Sequence, residues 1–244
     1  MKIRPSLSGV TPLMCVYALC FLLAGSPVHA GPGGIIVAVE KTWLGRVVTI
    51  ILIIVLSPII ILDAIQRRRA IKRTMSALNT LSQCLPQYRW LDFTDQVTNA
   101  FSWVWSAWSH QKMEEVSAFT TDWYWQNQQL LLDDWKARGV TNICSLNKIG
   151  QIKPLLVQHN PQNQGDGSRI VVQIDATVVD YLVDESGKLM KGSKTPSELR
   201  TVWTFLYQGD AWKLNRIDES ATVWDYLKLQ NETTLTASSQ QSSI

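Results

Sequence analysis

Sixteen consecutive residues, Val47 to Leu62 (VVTIILIIVLSPIIIL), carry no charge. With Trp43 to Gly45 before them and Asp63 to Ile65 after, the run reaches spanning length. A helix of about 20 residues, rising about 1.5 Å each, crosses a hydrocarbon core of about 30 Å. No polar face recurs along the run, which disfavours a buried core helix. Arg46 can snorkel to the headgroups, Trp43 suits an interfacial position, and Pro58 is a break that membrane helices tolerate. The sequence therefore predicts a transmembrane helix over 43–65.

Directly after it comes Arg67-Arg68-Arg69-Ala70-Ile71-Lys72-Arg73, five cations in seven residues. The positive-inside bias puts this end in the cytoplasm. The same collar attracts anionic lipid, at about 1 kcal/mol per basic residue near the surface. Arg67, Arg68, Arg69, Lys72 and Arg73 are thus candidate lipid-headgroup contacts on a juxtamembrane helix over 66–84. Residues 1–30 read as a signal peptide. Lys2 and Arg4 precede the apolar run Leu13–Leu23, and Val28 and Ala30 suit a cut after Ala30. Residues 31–42 would then be a short extracytoplasmic segment. An uncut first helix starting inside also returns the C-terminal part to the inside. If 47–62 did not span, the domain would instead be periplasmic.

The net charge of +3 hides a split: residues 1–74 hold nine Lys/Arg against two Asp/Glu, and the remainder is acidic. A basic domain, the footprint of a nucleic-acid binder, is absent. With Cys15 and Cys20 in the leader, Cys84 and Cys144 remain, and a cytoplasmic setting predicts free thiols.

The remainder predicts α+β architecture, helices first and antiparallel strands after. A helix leaves the membrane from Ala70 to Leu85 and stops at Pro86. Asp92 reads as an N-cap, followed by Val97, Phe101, Trp105 and Trp108 at helical spacing. Met113, Val116 and Phe119 suggest a short second helix. A longer helix starts near Thr120-Thr121-Asp122 and stops at Gly139. Asn142–Gln158 reads as extended with a break near Gly150. Ile170–Val183 alternates over part of its length, with Val172, Ile174, Ala176 and Val178 on one face. Asp184–Lys188 is a turn, Glu198–Tyr207 a central strand, Gln208-Gly209-Asp210 a tight turn and Ala211–Asp218 a return strand. Residues 85–228 form the domain, and 229–244 read as a disordered tail. A strongly curved sheet closed on one face by helices would enclose a conical core.

Aromatic rings dominate the candidate site. Phe101, Trp105, Trp108, Trp123, Tyr181, Trp203 and Phe205 are pocket or partner-contact candidates. Two readings stand for the tryptophans: a core packed with large rings, or the lining of a cavity for an acyl chain or a partner's apolar segment. Geometry adds a constraint. Trp103 and Trp105 sit two apart on a helix, as do Trp123 and Trp125, so one of each pair must face outward. Nucleophile elbows, P-loops, dinucleotide fingerprints and zincin motifs are absent from the sequence. His110 and His159 are isolated, and metal sites need clustered ligands. Asp175 and Asp180, five apart on a strand, face opposite ways, so a paired-carboxylate site is not supported. No catalytic residue, cofactor or metal is expected.

Residues 178–217 (VVDYLVDESGKLMKGSKTPSELRTVWTFLYQGDAWKLNRI) carry D-x-x-V-D-E-x-G, P-x-E, W-T-F and G-x-x-W-x-L-x-x-I in order. This stretch, with the aromatic helices from Asp92 to Gly139, resembles the C-terminal domain of the mitochondrial import-translocase subunit Tim forty-four and its bacterial relatives, over about 85–220. The resemblance implies a nuclear-transport-factor-two-like cone: helices on a curved antiparallel sheet with a large apolar pocket. It further implies a non-enzymatic protein at the inner-membrane face that links a translocase to its motor. The chain departs in two ways. Only Gly31-Pro32-Gly33-Gly34 remains of a glycine-rich stretch, and the long chaperone-engaging segment is missing. The expected function is a membrane-anchored adaptor or scaffold of the bacterial inner membrane, with the domain cytoplasmic. It would bind anionic lipid or a partner protein in a membrane complex, in the setting of protein translocation or complex assembly, and no nucleic acid. The alternative is a pocket enzyme of the same fold acting on a small apolar substrate.

Overall fold

The computed structural model describes residues 43–162, 165–219, 221, 225, 226, 229, 231 and 233. In the first helix, the side chains at 44–46, 48, 49, 52, 53, 55, 56, 59, 60 and 63 also lie outside that set. The leader over 1–30 and the segment 31–42 lie outside the described residues. The chain divides into two compact units, Met1–Arg68 and Arg69–Ile244.

Helix α1 runs Trp43–Ser82 with Pro58 inside it. Proline has no N–H to give the carbonyl four residues back, which here is that of Ile54. The Ser57 hydroxyl donates to the Ile54 carbonyl at 3.5 Å, a weak replacement of the kind that lets such helices continue. Among the described residues taken alone, no helix is long and apolar enough to cross a membrane. The uncharged run Val47–Leu62 is interrupted there by side chains outside the described set. Of its described apolar side chains, Ile54 is 64% exposed and Leu62 57%, and Trp43, before the run, is 73% exposed.

The second unit carries the domain. Helix α1 stops at Ser82, three residues short of the expected Leu85, and Pro86 opens a single tight turn, Pro86–Tyr88. Helix α2 spans Trp90–His110 and buries Phe93, Val97, Ala100, Phe101, Val104 and Ala107. Its start corrects the sequence reading. Arg89, not Asp92, holds the N-cap position, with no side-chain cap, and Asp92 lies in the first turn. There its carboxylate sits near the N-terminal end of the helix dipole and 3.8 Å from the Arg89 guanidinium. After a tight turn at Met113–Val116, helix α3 covers Asp122–Ala137. The Thr121 hydroxyl accepts the Tyr124 N–H at 3.3 Å and bonds Asn215 at 3.1 Å. Thr121→Ala should cost about 1 kcal/mol of unfolding free energy, measured by denaturant titration. Gly139, at φ +68°, closes the helix in the left-handed region that a Cβ disfavours.

Strands β1 (Thr141–Gln158), β2 (Arg169–Val183), β3 (Leu189–Gln208) and β4 (Ala211–Asp218) form one antiparallel sheet in chain order. Helices packed on this open sheet make the fold α+β. Strand β1 shifts register three times, around Asn147, Gly150–Gln151 and Leu155. A Cβ on Gly150 would lie 2.8 Å from the Asp175 carbonyl, so this bulge needs glycine. Strand β3 begins nine residues before the expected Glu198. The β2–β3 hairpin extends to the Asp184 turn, where the Asp184 carboxylate accepts N–H bonds from Ser186 and Lys188.

The helix-covered face buries Ile170, Val172, Ile174, Ala176, Val178, Trp203 and Phe205 against α2 and Leu78 and Leu81 of α1. The opposite face holds a smaller cluster of Leu155, Leu156, Val171 and Val202, flanked by Ala221 and Tyr226. The entry to α3 is tied to β4, because the Thr121 N–H bonds the Leu214 carbonyl and the Leu214 N–H bonds that of Phe119. Within the segment expected to be a tail, Asn231 is anchored. Its side-chain carbonyl accepts the Val157 N–H at 2.9 Å, and its amide donates to Thr74 at 3.3 Å. Most of 229–244 lies outside the described residues.

Candidate functional site

The aromatic candidates separate into three groups. Phe101, Trp203 and Phe205 are fully buried together. Phe101 stacks on Trp203 with centroids 4.8 Å apart, and Trp203 lies 6.2 Å from Phe205. These rings fill the helix-covered face. Trp105 and Trp108 are half-buried at its margin, 6.0 Å from Phe101 and 5.8 Å from Trp135 respectively. Trp123 and Tyr181 stand apart. Trp123 is 58% exposed. Tyr181 is on the sheet face opposite Asp180, under the Lys194 ammonium at 5.7 Å. Each i, i+2 tryptophan pair splits as helical geometry requires: Trp103 and Trp123 are exposed, and Trp105 and Trp125 are half-buried.

Of the basic collar, Arg68, Arg69, Lys72 and Arg73 are exposed and Arg67 is half-buried. The next residue, Thr74, is buried and donates to the Leu155 carbonyl at 3.2 Å.

The two strand aspartates face opposite sides, as their spacing requires. Asp175 accepts from Lys153 and Arg200, each at 2.8 Å. Burial alone would push its carboxyl up, and those two cations more than reverse this, holding it below the usual range. Asp180 accepts from the Asn142 amide at 2.8 Å. It stands across from Cys144, whose thiol is pushed up to about 12 by burial and by that carboxylate. The Asn142 side-chain oxygen Oδ1 is buried without a partner among the described residues. No group of His, Cys, Asp and Glu among them could hold a metal ion.

The family model for the Tim44-like domain matches residues 74–219. The chain belongs to the Tim44-like domain family. The match begins at Thr74, where the apolar helix and collar give way to the first residue buried in the domain. No curated protein matches the chain. Among solved structures, the intermembrane-space region of the chloroplast protein ARC6 is similar at 10% identity, covering 52% of this chain and 95% of its own, with a TM-score of 0.37. A putative polyketide cyclase from Xanthomonas campestris pv. campestris is similar at 11% identity, covering 55% and 95%, with a TM-score of 0.29. Likeness at these scores bears on neither mechanism nor partner.

The Tim44-like domain also holds a polar cluster that sequence reading missed. His159, read as an isolated residue, is 6% exposed. Its Nδ1 lies 2.8 Å from the Tyr88 hydroxyl and 3.4 Å from that of Ser168. Burial lowers the proton affinity of the imidazole and raises the Tyr88 phenol to about 12, so both groups are neutral near pH 7. His159 borders a cleft of about 410 Å³ with Gln158, Asn160, Pro161, Arg169 and Leu206. Tyr88 lies 71 residues from His159 in sequence, so no local spacing announces the pair. Because the folded histidine binds its proton less readily than the unfolded one, stability is full above about pH 6.5 and falls as pH drops below that value. Denaturant titrations at pH 7.5 and 5.5 should show this loss in the wild type and a smaller one in His159→Gln.

Proposed function

We propose that this Tim44-like protein is a membrane-anchored, non-enzymatic adaptor that holds a partner protein at the lipid surface. The observation that carries this reading is the outward apolar face of α1. Ile50, Ile51, Ile54, Ile61 and Leu62 are all more than half exposed, a surface that water does not tolerate on a single long helix and a bilayer does. The basic collar follows this face directly and suits anionic headgroups. Beyond it, the exposed Trp103 and Trp123 offer rigid amphipathic rings for a partner. Family membership favours a setting in protein translocation or the assembly of a membrane complex.

The non-enzymatic reading is supported by how the helix-covered face is filled. Its interior is occupied by rings and aliphatic side chains, with no convergence of carboxylates or imidazoles upon it among the described residues. In location, the reading is a bacterial inner membrane crossed by α1, with the domain on the cytoplasmic side. The test is alkaline carbonate washing of membranes that contain the full chain. Retention in the pellet is expected, and release to the supernatant would refute the anchor.

A further inference from the structure

The cleft beside His159 belongs to no part of the adaptor reading, yet its polar groups are built and oriented. We propose that it binds a small molecule through an oxyanion, a carboxylate or a phosphate, gripped by the Nε2–H of His159 and the guanidinium of Arg169.

Three observations carry this. The first is His159. Two hydroxyls, of Tyr88 and Ser168, converge on His159 Nδ1, and the Ser168 oxygen already accepts the Asn160 N–H at 2.9 Å. With Nδ1 engaged by these hydroxyls, an anion meets the ring at Nε2, which donates in the Nε2–H tautomer and in the imidazolium. The second is Arg169. It lines the same cleft, and its guanidinium donates to the Gln158 side-chain carbonyl. That bond uses one N–H of five and holds the fork in place for a planar or tetrahedral oxyanion. The third is the loop between them. Gly167 is held at φ +80°, its N–H bonds the Tyr207 carbonyl at 2.8 Å, and the Tyr207 N–H bonds that of Ser168 at 2.9 Å. These bonds pin Gly167 and Ser168, which lead directly into Arg169, to β3. At about 410 Å³ the space exceeds a lone anion and falls in the range of small-molecule sites. Pro161 and Leu206 supply apolar wall for the rest of the ligand.

A bound anion favours the imidazolium, so it raises the proton affinity of His159. By reciprocity, anion affinity rises as pH falls. The experiment follows the His159 Cε1–H resonance of the full chain in detergent while inorganic phosphate or acetate is added, with chloride at matched ionic strength as control. Either oxyanion should give a saturable shift, together with a rise of about one unit in the His159 titration midpoint, equivalent to about tenfold in affinity. The better of the two identifies the head group. Arg169→Gln should weaken binding about tenfold or more. Arg169→Lys, which keeps the charge and loses the fork, should fall between. Arg138→Gln, a change at an exposed cation at the end of α3, should bind as wild type. The proposal is overturned if phosphate and acetate move His159 no more than chloride does. It is also overturned if a folded Arg169→Gln protein, judged by unchanged Trp203 and Phe101 ring shifts, binds as wild type.

Discussion

Trp203→Ala should remove about 3–5 kcal/mol of the domain's unfolding free energy, the usual cost of emptying a large buried aromatic site. Trp203 is 1% exposed. It stacks on Phe101 from α2 and stands between Val172 and Ile217 on the neighbouring strands. Its indole N–H donates to the Thr201 hydroxyl at 2.9 Å, so truncation also strands a buried polar group. A single domain has about 5–15 kcal/mol in hand, and the variant should therefore sit near the edge of folding. Phe101→Ala removes the other half of the stack, and the double variant should lose less than the two single losses combined, because the rings share one cavity. Trp123→Ala is the control. At 58% exposure it should change stability by no more than about 0.5 kcal/mol. Urea titration followed by near-ultraviolet dichroism checks all four proteins. Equal losses at Trp203 and Trp123 would mean that the rings do not form the core described.

This contrast marks what could be read from the sequence. Helical geometry alone required one ring of Trp103/Trp105 and one of Trp123/Trp125 to face outward, and Trp103 and Trp123 do. Thr121 and Gly139 bound α3 as their chemistry dictates, because a hydroxyl cap and a left-handed glycine are local requirements. The alternation of β2 was legible for the same reason, since one of its faces is continuously buried. The first half of β3 was not. From Leu189 to Glu198 both faces are largely exposed, so no period of two is imposed on the residues, and the strand is held by hydrogen bonds to β2 that leave no trace in composition. The start of α2 was misplaced because Asp92 has a capping side chain, whereas the turn at Pro86–Tyr88 delivers the chain into the helix earlier. The His159 cluster was hidden for a topological reason. Tyr88, His159 and Ser168 meet only because the turn before α2 lies beside the loop between β1 and β2. Pattern exposes what neighbours along the chain decide, and this site depends on neighbours across the fold.

The second large effect concerns the anchor. With a reporter that is active only in the periplasm fused after Ile244, the wild-type chain should be silent, and the double substitution Ile51→Asp with Ile54→Asp should make it active. Val47–Leu62 holds 13 aliphatic residues. At about −0.5 kcal/mol each, they favour insertion by roughly 6 kcal/mol. An aspartate near the helix centre costs about 2.5–3.5 kcal/mol. Two of them, three residues apart on the exposed face of α1, cancel the whole preference. The result does not depend on the fate of the leader. If the signal peptide is cut, loss of the stop-transfer helix lets the domain pass through the membrane. If it is not cut, a single remaining span that starts inside leaves the C-terminus outside. Both routes carry the domain across, and both turn the reporter on. Ile51→Leu with Ile54→Leu preserves the apolar count and should remain silent. A reporter already active in the wild type would place the Tim44-like domain in the periplasm and remove the topology on which the adaptor reading stands. A double-aspartate chain that stays silent while remaining membrane-bound would show that α1 is not the element that sets it.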